Sequence, residues 1–256
     1  MSRIEVLTSG IWQLSSVVVA SRGEVAVIDP GYFPRELDAL AARAGELGSA
    51  HKVIFTHGHW DHVVGWRSFP GAPVIGSPSL ASAVSENSAR AQKDLAAARD
   101  FDGRWYIDRP LAWPAQIAPL AEGSTVQVGD LALEALTLPG HSADGLALRV
   151  GDLLIAGDYL SPLEIPFVED IAGYRATLVR LLALIPQLSE IIPGHGPRLT
   201  PAVAARIAEE DLVYLDRLSA AAGDRARALA VALPRAADVP GMNEHHAENV
   251  DALGRC

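Results

Sequence analysis

Thr56-His57-Gly58-His59-Trp60-Asp61-His62 carries four side chains of metal-ligand type within six positions. It continues 52–56, a short run that reads as a strand. In extended chain, residues two apart point to the same side, so His57 and His59 can reach one ion together. Asp61 and His62 follow where the chain is expected to turn into a helix, and can face a second ion. Imidazole nitrogen and carboxylate oxygen bind Zn²⁺ at about 2.0–2.2 Å. Gly58 is expected to let the backbone fold tightly between the first two ligands. A catalytic zinc takes at least three protein ligands and keeps a position open. The rest must therefore come from distant parts of the chain.

Three candidates stand in matching places. His141 in Leu138-Pro139-Gly140-His141 and His195 in Ile192-Pro193-Gly194-His195 each follow a strand-like run and a Pro-Gly pair, which turns the chain at a strand end. Asp158, in Ala156-Gly157-Asp158, also follows such a run. Strand-end loops are where sites collect. The coarse pattern alternates strands and helices. Strands are expected at 11–20, 24–28, 52–56, 74–75, 125–128, 131–138, 146–150, 153–156 and 190–192, and helices at 35–45, 79–100, 172–184 and 202–221. A loop is expected over 101–120. From 200 the strand signal vanishes, so the chain divides into 1–199, a catalytic domain, and 200–256, a helical appendage.

Apolar residues make up 49% and charged residues 20%, the balance of a globular chain. The 31 acids against 21 bases give a net charge of −10, which argues against a nucleic-acid-binding face. No apolar run approaches the ~20 residues that span a bilayer, and 1–10 shows no secretory signal. The one cysteine, Cys256, allows no intrachain disulfide and no cysteine-rich metal site. These features fit a cytoplasmic protein that acts on a small molecule, without nucleic acid or membrane.

The order H-x-H-x-D-H, Pro-Gly-His, Gly-Asp, Pro-Gly-His-Gly resembles the metallo-β-lactamase-fold hydrolases, over about 29–195 of the chain. The resemblance implies an α+β fold, a four-layer αββα sandwich with the metals at one edge. It implies His57, His59 and His141 at a first metal and Asp61, His62 and His195 at a second, with Asp158 bridging. Asp29 is similar to the family's buried aspartate that braces the histidine loop. The expected cofactor is two divalent ions, zinc, with iron or manganese as alternatives, since imidazole suits several of these metals. The expected chemistry is hydrolysis of an ester, thioester or lactone by a metal-bridging hydroxide, with Asp61 orienting it and relaying its proton. An iron-dependent sulfur dioxygenase-like activity, or a β-lactamase or phosphodiesterase activity, is the alternative. The glutathione-thioesterase branch is close in length, but its usual run after the bridging aspartate is not matched by Tyr159-Leu160-Ser161-Pro162-Leu163.

For the substrate pocket, Trp60 and the loop aromatics Trp105, Tyr106 and Trp113, with Phe101, either wall an apolar pocket above the metals or pack helix 79–100 onto the sandwich. His245 and His246, in Asn243-Glu244-His245-His246, either reach the pocket rim or are solvated; they diverge on a helix, so the two do not serve one site. The stripe Val203, Ile207, Tyr214, Leu218 either covers the sandwich or mediates a homodimer.

Overall fold

The computed structural model describes residues 2–237 and 239–253; Cys256 lies outside them. The first half runs β1 (Arg3–Thr8), β2 (Ser15–Ser21), β3 (Glu24–Ile28), α1 (Pro34–Leu47), β4 (Ala50–Ile54), α2 (Trp60–Val63), β5 (Val74–Gly76), α3 (Pro78–Ser85), α4 (Ala89–Arg104) and β6 (Ala118–Pro119). The second runs β7 (Thr125–Val128), β8 (Leu131–Thr137), β9 (Leu146–Val150), β10 (Leu153–Ile155), α5 (Ile171–Leu184), β11 (Glu190–Ile192), α6 (Pro201–Ala220), α7 (Arg225–Leu229) and α8 (Met242–Ala252). β1 to β6 form one sheet in chain order; β11-β10-β9-β8-β7 form the other. Antiparallel pairing at β1–β3 gives way to parallel pairing from β3 to β6, and the second sheet is antiparallel except for β10 with β11.

Strand alternation assigns each side chain to a layer. Val17, Val19, Ala26 and Ile28 meet Leu133, Ala135, Leu146 and Leu148 between the two sheets. Their neighbours Val18, Ala20, Val25 and Val27 point outward onto Leu40 and Ala44 of α1. On the far side, Ala147, Leu154 and Ile191 meet Leu178 and Leu181 of α5 and Ile207, Leu215 and Leu218 of α6. The result is a four-layer αββα sandwich. Among the described residues no helix is long and apolar enough to cross a membrane.

Several expectations are corrected. The strand expected from 11 starts at Ser15, because Trp12 and Gln13 take left-handed φ of 61° and 48° and turn the chain. The helix expected at 79–100 is two: Asn87, at φ 48°, breaks it, and the Ser88 hydroxyl caps α4 by accepting from the Ala91 amide. α4 then runs on to Arg104, into the expected loop. Edge strands β1 and β6 escaped the sequence reading. The segment from 200 is helical, and α6 and Val250 of α8 share one apolar cluster with the second sheet. Of the stripe with two possible roles, Ile207, Tyr214 and Leu218 are at most 1% exposed and pack within the chain, and Val203 is partly buried against the same cluster.

Candidate metal centre

The sandwich brings strand ends to one edge, and each motif residue follows a strand: Asp29 after β3, the histidine segment after β4, His141 after β8, Asp158 after β10 and His195 after β11. His59 is the extended residue before α2, which then carries Asp61 and His62. Gly58 serves by close approach rather than by turning the backbone: a Cβ there would sit 2.8 Å from both Asp144 Oδ2 and Leu80 Cδ1. Gly194 is likewise required, since a Cβ would lie 2.0 Å from Asp158 Oδ1.

Two donor sets result. His57, His59, His141 and Asp158 form one; Asp61, His62 and His195 form the other. In the first, His141 Nε2 lies 3.3 Å from His57 Nε2, 3.0 Å from His59 Nδ1 and 3.4 Å from Asp158 Oδ2. In the second, Asp61 Oδ2 lies 3.6 Å from His62 Nε2 and 3.4 Å from His195 Nε2. The other oxygen of Asp158 is 3.2 Å from His62 Nε2, so this carboxylate faces both sets. Donors bound tetrahedrally at about 2.0–2.1 Å stand about 3.3 Å apart. His62 Nε2 and Asp158 Oδ1 are buried with no hydrogen-bond partner, which a cation between them would satisfy. The donor set therefore fits a pair of divalent cations.

The histidine tautomers follow from their outer contacts. His62 Nδ1 lies 3.0 Å from Asp29 Oδ2. Asp29 also accepts from the Thr56 amide (2.8 Å) and hydroxyl (2.6 Å). With its proton so committed, the hydroxyl accepts from His57 Nδ1 at 3.0 Å. The carbonyls of Phe167 and Trp12 accept from Nδ1 of His141 (3.1 Å) and His195 (3.0 Å). All four rings thus carry a proton on Nδ1 and turn Nε2 inward, the nitrogen that a bound cation would take.

Electrostatics split the sets. Burial, helped by the neighbouring His62 charge, holds His57 well below the usual imidazole range, and burial pushes His59 and His141 down to about 4. Burial acts the same way on His62 and His195, but Asp158, with Asp61 or Glu164, outweighs it and raises both well above that range. Asp158 and Asp61 resist burial through these histidines and stay ionised. The first set is ready for a cation, and the second holds protons that a cation would displace.

The superfamily profile of the metallo-β-lactamases matches residues 10–221. The chain belongs to the metallo-β-lactamase superfamily. The match takes in α6, beyond the boundary expected at 199. Within this superfamily the chain is 29% identical to the hydroxyacylglutathione hydrolase of Acidiphilium cryptum (strain JF-5), over 82% of this chain and 75% of that one. It is 26% identical to the acyl-coenzyme A thioesterase MBLAC2 of Gallus gallus, over 66% and 67%. Among solved folds, the metallo-beta-lactamase family protein TTHA1429 from Thermus thermophilus superposes with a TM-score of 0.70 at 20% identity, covering 98% of this chain and 91% of that one. TTHA1623, solved in a di-iron-bound form, gives 0.60 at 28% identity, covering 79% and 98%.

In this superfamily member a cavity of ≈ 350 Å³ opens onto the donor sets, lined by His59, Asp61, His141, Asp158 and His195. Trp60 lines it. Trp105, Tyr106 and Trp113 do not. Trp105 stacks on Phe101 and is 55% exposed, and Tyr106, at a left-handed φ of 54°, is 95% exposed. Trp113 donates to the Ala91 carbonyl and packs on the outer face of the first sheet, its indole held under α4. The walls come instead from Trp12, Phe167, Glu164 and Arg235, which sequence reasoning missed. The prolines at 162 and 166 were the one available signal for an irregular wall after β10. His245 reaches the cavity and lies tilted against Phe167, the rim reading of the two, whereas His246 is buried against Tyr214 and is not solvated.

Proposed function

We propose that this protein is a binuclear metal-dependent hydrolase, zinc-loaded, of a small-molecule ester, thioester or lactone. The observation that carries the reading is Asp158, whose two oxygens face two complete donor sets at the floor of a cavity. Two divalent ions held by His57, His59 and His141 and by Asp61, His62 and His195, with Asp158 between them, would supply a nucleophilic water at neutral pH and Lewis acidity toward an acyl oxygen. The chain's own residues do the rest. Asp61 lines the cavity and stays ionised beside His62 and His195, so it orients a water and accepts its proton before passing it to the leaving group. Trp12 and Trp60, edge to face at 5.4 Å, wall one side and exclude solvent. The names of the two curated relatives favour a thioester among the three substrate classes.

Elemental analysis of the purified chain, followed by a panel of thioesters, esters, lactones, phosphodiesters and a β-lactam, tests this reading. About two zinc per chain with thioester or ester turnover supports it; one iron with oxygen consumption overturns it. Asp158→Ala is expected to lose metal and activity together. Asp61→Asn is expected to keep most of its metal and lose roughly 10²–10⁴-fold in turnover. A metal-depleted Asp158→Ala protein with full activity contradicts the assignment.

A further inference from the structure

We propose that Asn249, on the C-terminal helix α8, is a positioning residue for the metal centre, gripping both sides of Phe167 so that the Phe167 carbonyl holds His141 in its ligating tautomer. The inference rests on the reading of His141 as a metal ligand.

Asn249 is 1% exposed. Its Nδ2 donates to the Pro166 carbonyl at 2.6 Å, and its Oδ1 accepts from the Val168 amide at 3.0 Å. A carbonyl only accepts and an amide N–H only donates, so the carboxamide has one orientation. The residue between those contacts is Phe167, whose carbonyl accepts from His141 Nδ1 at 3.1 Å. That bond puts the His141 proton on Nδ1 and turns the bare Nε2 toward His57, His59 and Asp158. The stretch from 156 to 170 has neither helix nor strand of its own. Glu169 and Asp170 tie its far end to the Gly140 carbonyl, and Asn249 fixes the part that meets His141.

The grip is itself held. The second Nδ2 proton of Asn249 goes to the Tyr214 hydroxyl of α6 at 3.1 Å. That hydroxyl then donates to His246 Nδ1 at 2.8 Å, and His246 Nε2 donates to the Leu229 carbonyl at 3.3 Å. The direction of every bond is set by the next, so α6, α7 and α8 present one carboxamide in one pose. The family profile ends at residue 221, so Tyr214 and the loop lie within the matched span while Leu229, His246 and Asn249 lie after it.

The test compares Asn249→Ala and Asn249→Asp with Val250→Ala, all in the full chain. Asn249→Asp keeps acceptance from Val168 but loses donation to Pro166, and Val250→Ala weakens the packing of the same helix in the cluster it shares with Val168 while leaving the Asn249 carboxamide in place. Long-range ¹H–¹⁵N spectra report the His141 tautomer with and without zinc, and chelator competition reports each zinc dissociation constant. The expected result is an Nδ1–H tautomer in the parent and in Val250→Ala, and mixed tautomers in Asn249→Ala. One zinc constant should weaken by about 10–100-fold in Asn249→Ala and by less in Asn249→Asp, with the other nearly unchanged. If Asn249→Ala fails to fold, Asn249→Asp decides alone. A parent tautomer and parent zinc constants in both Asn249 variants would overturn the proposal, as would equal weakening in Val250→Ala. A chain that binds no zinc while Asn249→Ala still mixes the tautomer overturns the ligand reading and leaves the grip standing.

Discussion

Asp29 reaches no substrate, yet Thr56, His57 and His62 all take their orientation from its two oxygens. Asp29→Asn replaces an acceptor by an N–H that faces the Thr56 hydroxyl or His62 Nδ1. We expect metal affinity to fall about 10–100-fold, read by chelator competition. The left-handed φ of 48° at Asp29 suits Asn equally well, so the backbone should hold. A second residue-scale effect concerns pH. Burial in the cavity wall, with Asp144 and Glu169 near, pushes Asp94 up to about 7 against the pull of Arg90. The unfolded chain releases that proton near pH 4, so the folded chain binds the extra proton between about pH 4 and 7, and stability falls as pH rises through that window. Asp94→Asn removes the dependence. It should match the parent at pH 4 and exceed it by on the order of 1 kcal/mol at pH 8, after allowing for solvent screening, as urea unfolding at both pH values would show.

At the scale of elements, α6 decides whether the C-terminal region is an attachment or a layer. Thr200 caps it by accepting from the Val203 amide, and Pro201 occupies its first turn, where no amide partner is needed. Its buried face then closes the outer side of the second sheet against α5. Leu215→Ala should cost about 2–5 kcal/mol, the range for a truncated core leucine. All five tryptophans lie between Trp12 and Trp113, so fluorescence follows the first half while far-UV ellipticity also follows α5 and α6. The two signals should unfold together in Leu215→Ala, and an early helical transition would show that the region folds by itself. The helix was visible in the sequence through its 3.6-residue stripe, but its partner was not. An apolar stripe fits its own sheet or a second molecule equally well until the packing is known.

For the molecule as a whole, three apolar clusters hold the sheets and helices together without any contribution from the donor sets. A chelated chain should therefore keep its far-UV spectrum while losing activity. Zinc at a thousandfold excess over its dissociation constant adds about 4 kcal/mol per site to the folded state, about 8 kcal/mol for two. With a shift of about 2–4 °C per kcal/mol for a chain of this size, melting should drop by roughly 15–30 °C on chelation and recover with zinc. Loss of the secondary structure with the metal would contradict this division between core and site.

The donor types, their order and their places at strand ends are written in the sequence. H-x-H-x-D-H and the Pro-Gly turns act over a few neighbouring residues, and strand alternation fixes which side chains face inward. The tertiary structure alone decided the cavity walls, the tautomers and what α6 and α8 pack against. Trp12, Phe167 and Arg235 meet around the donor sets only because two sheets stack and helices from the far end of the chain close over them. Such meetings follow from burial of surface between remote segments, and no local spacing records which remote segment a side chain will meet.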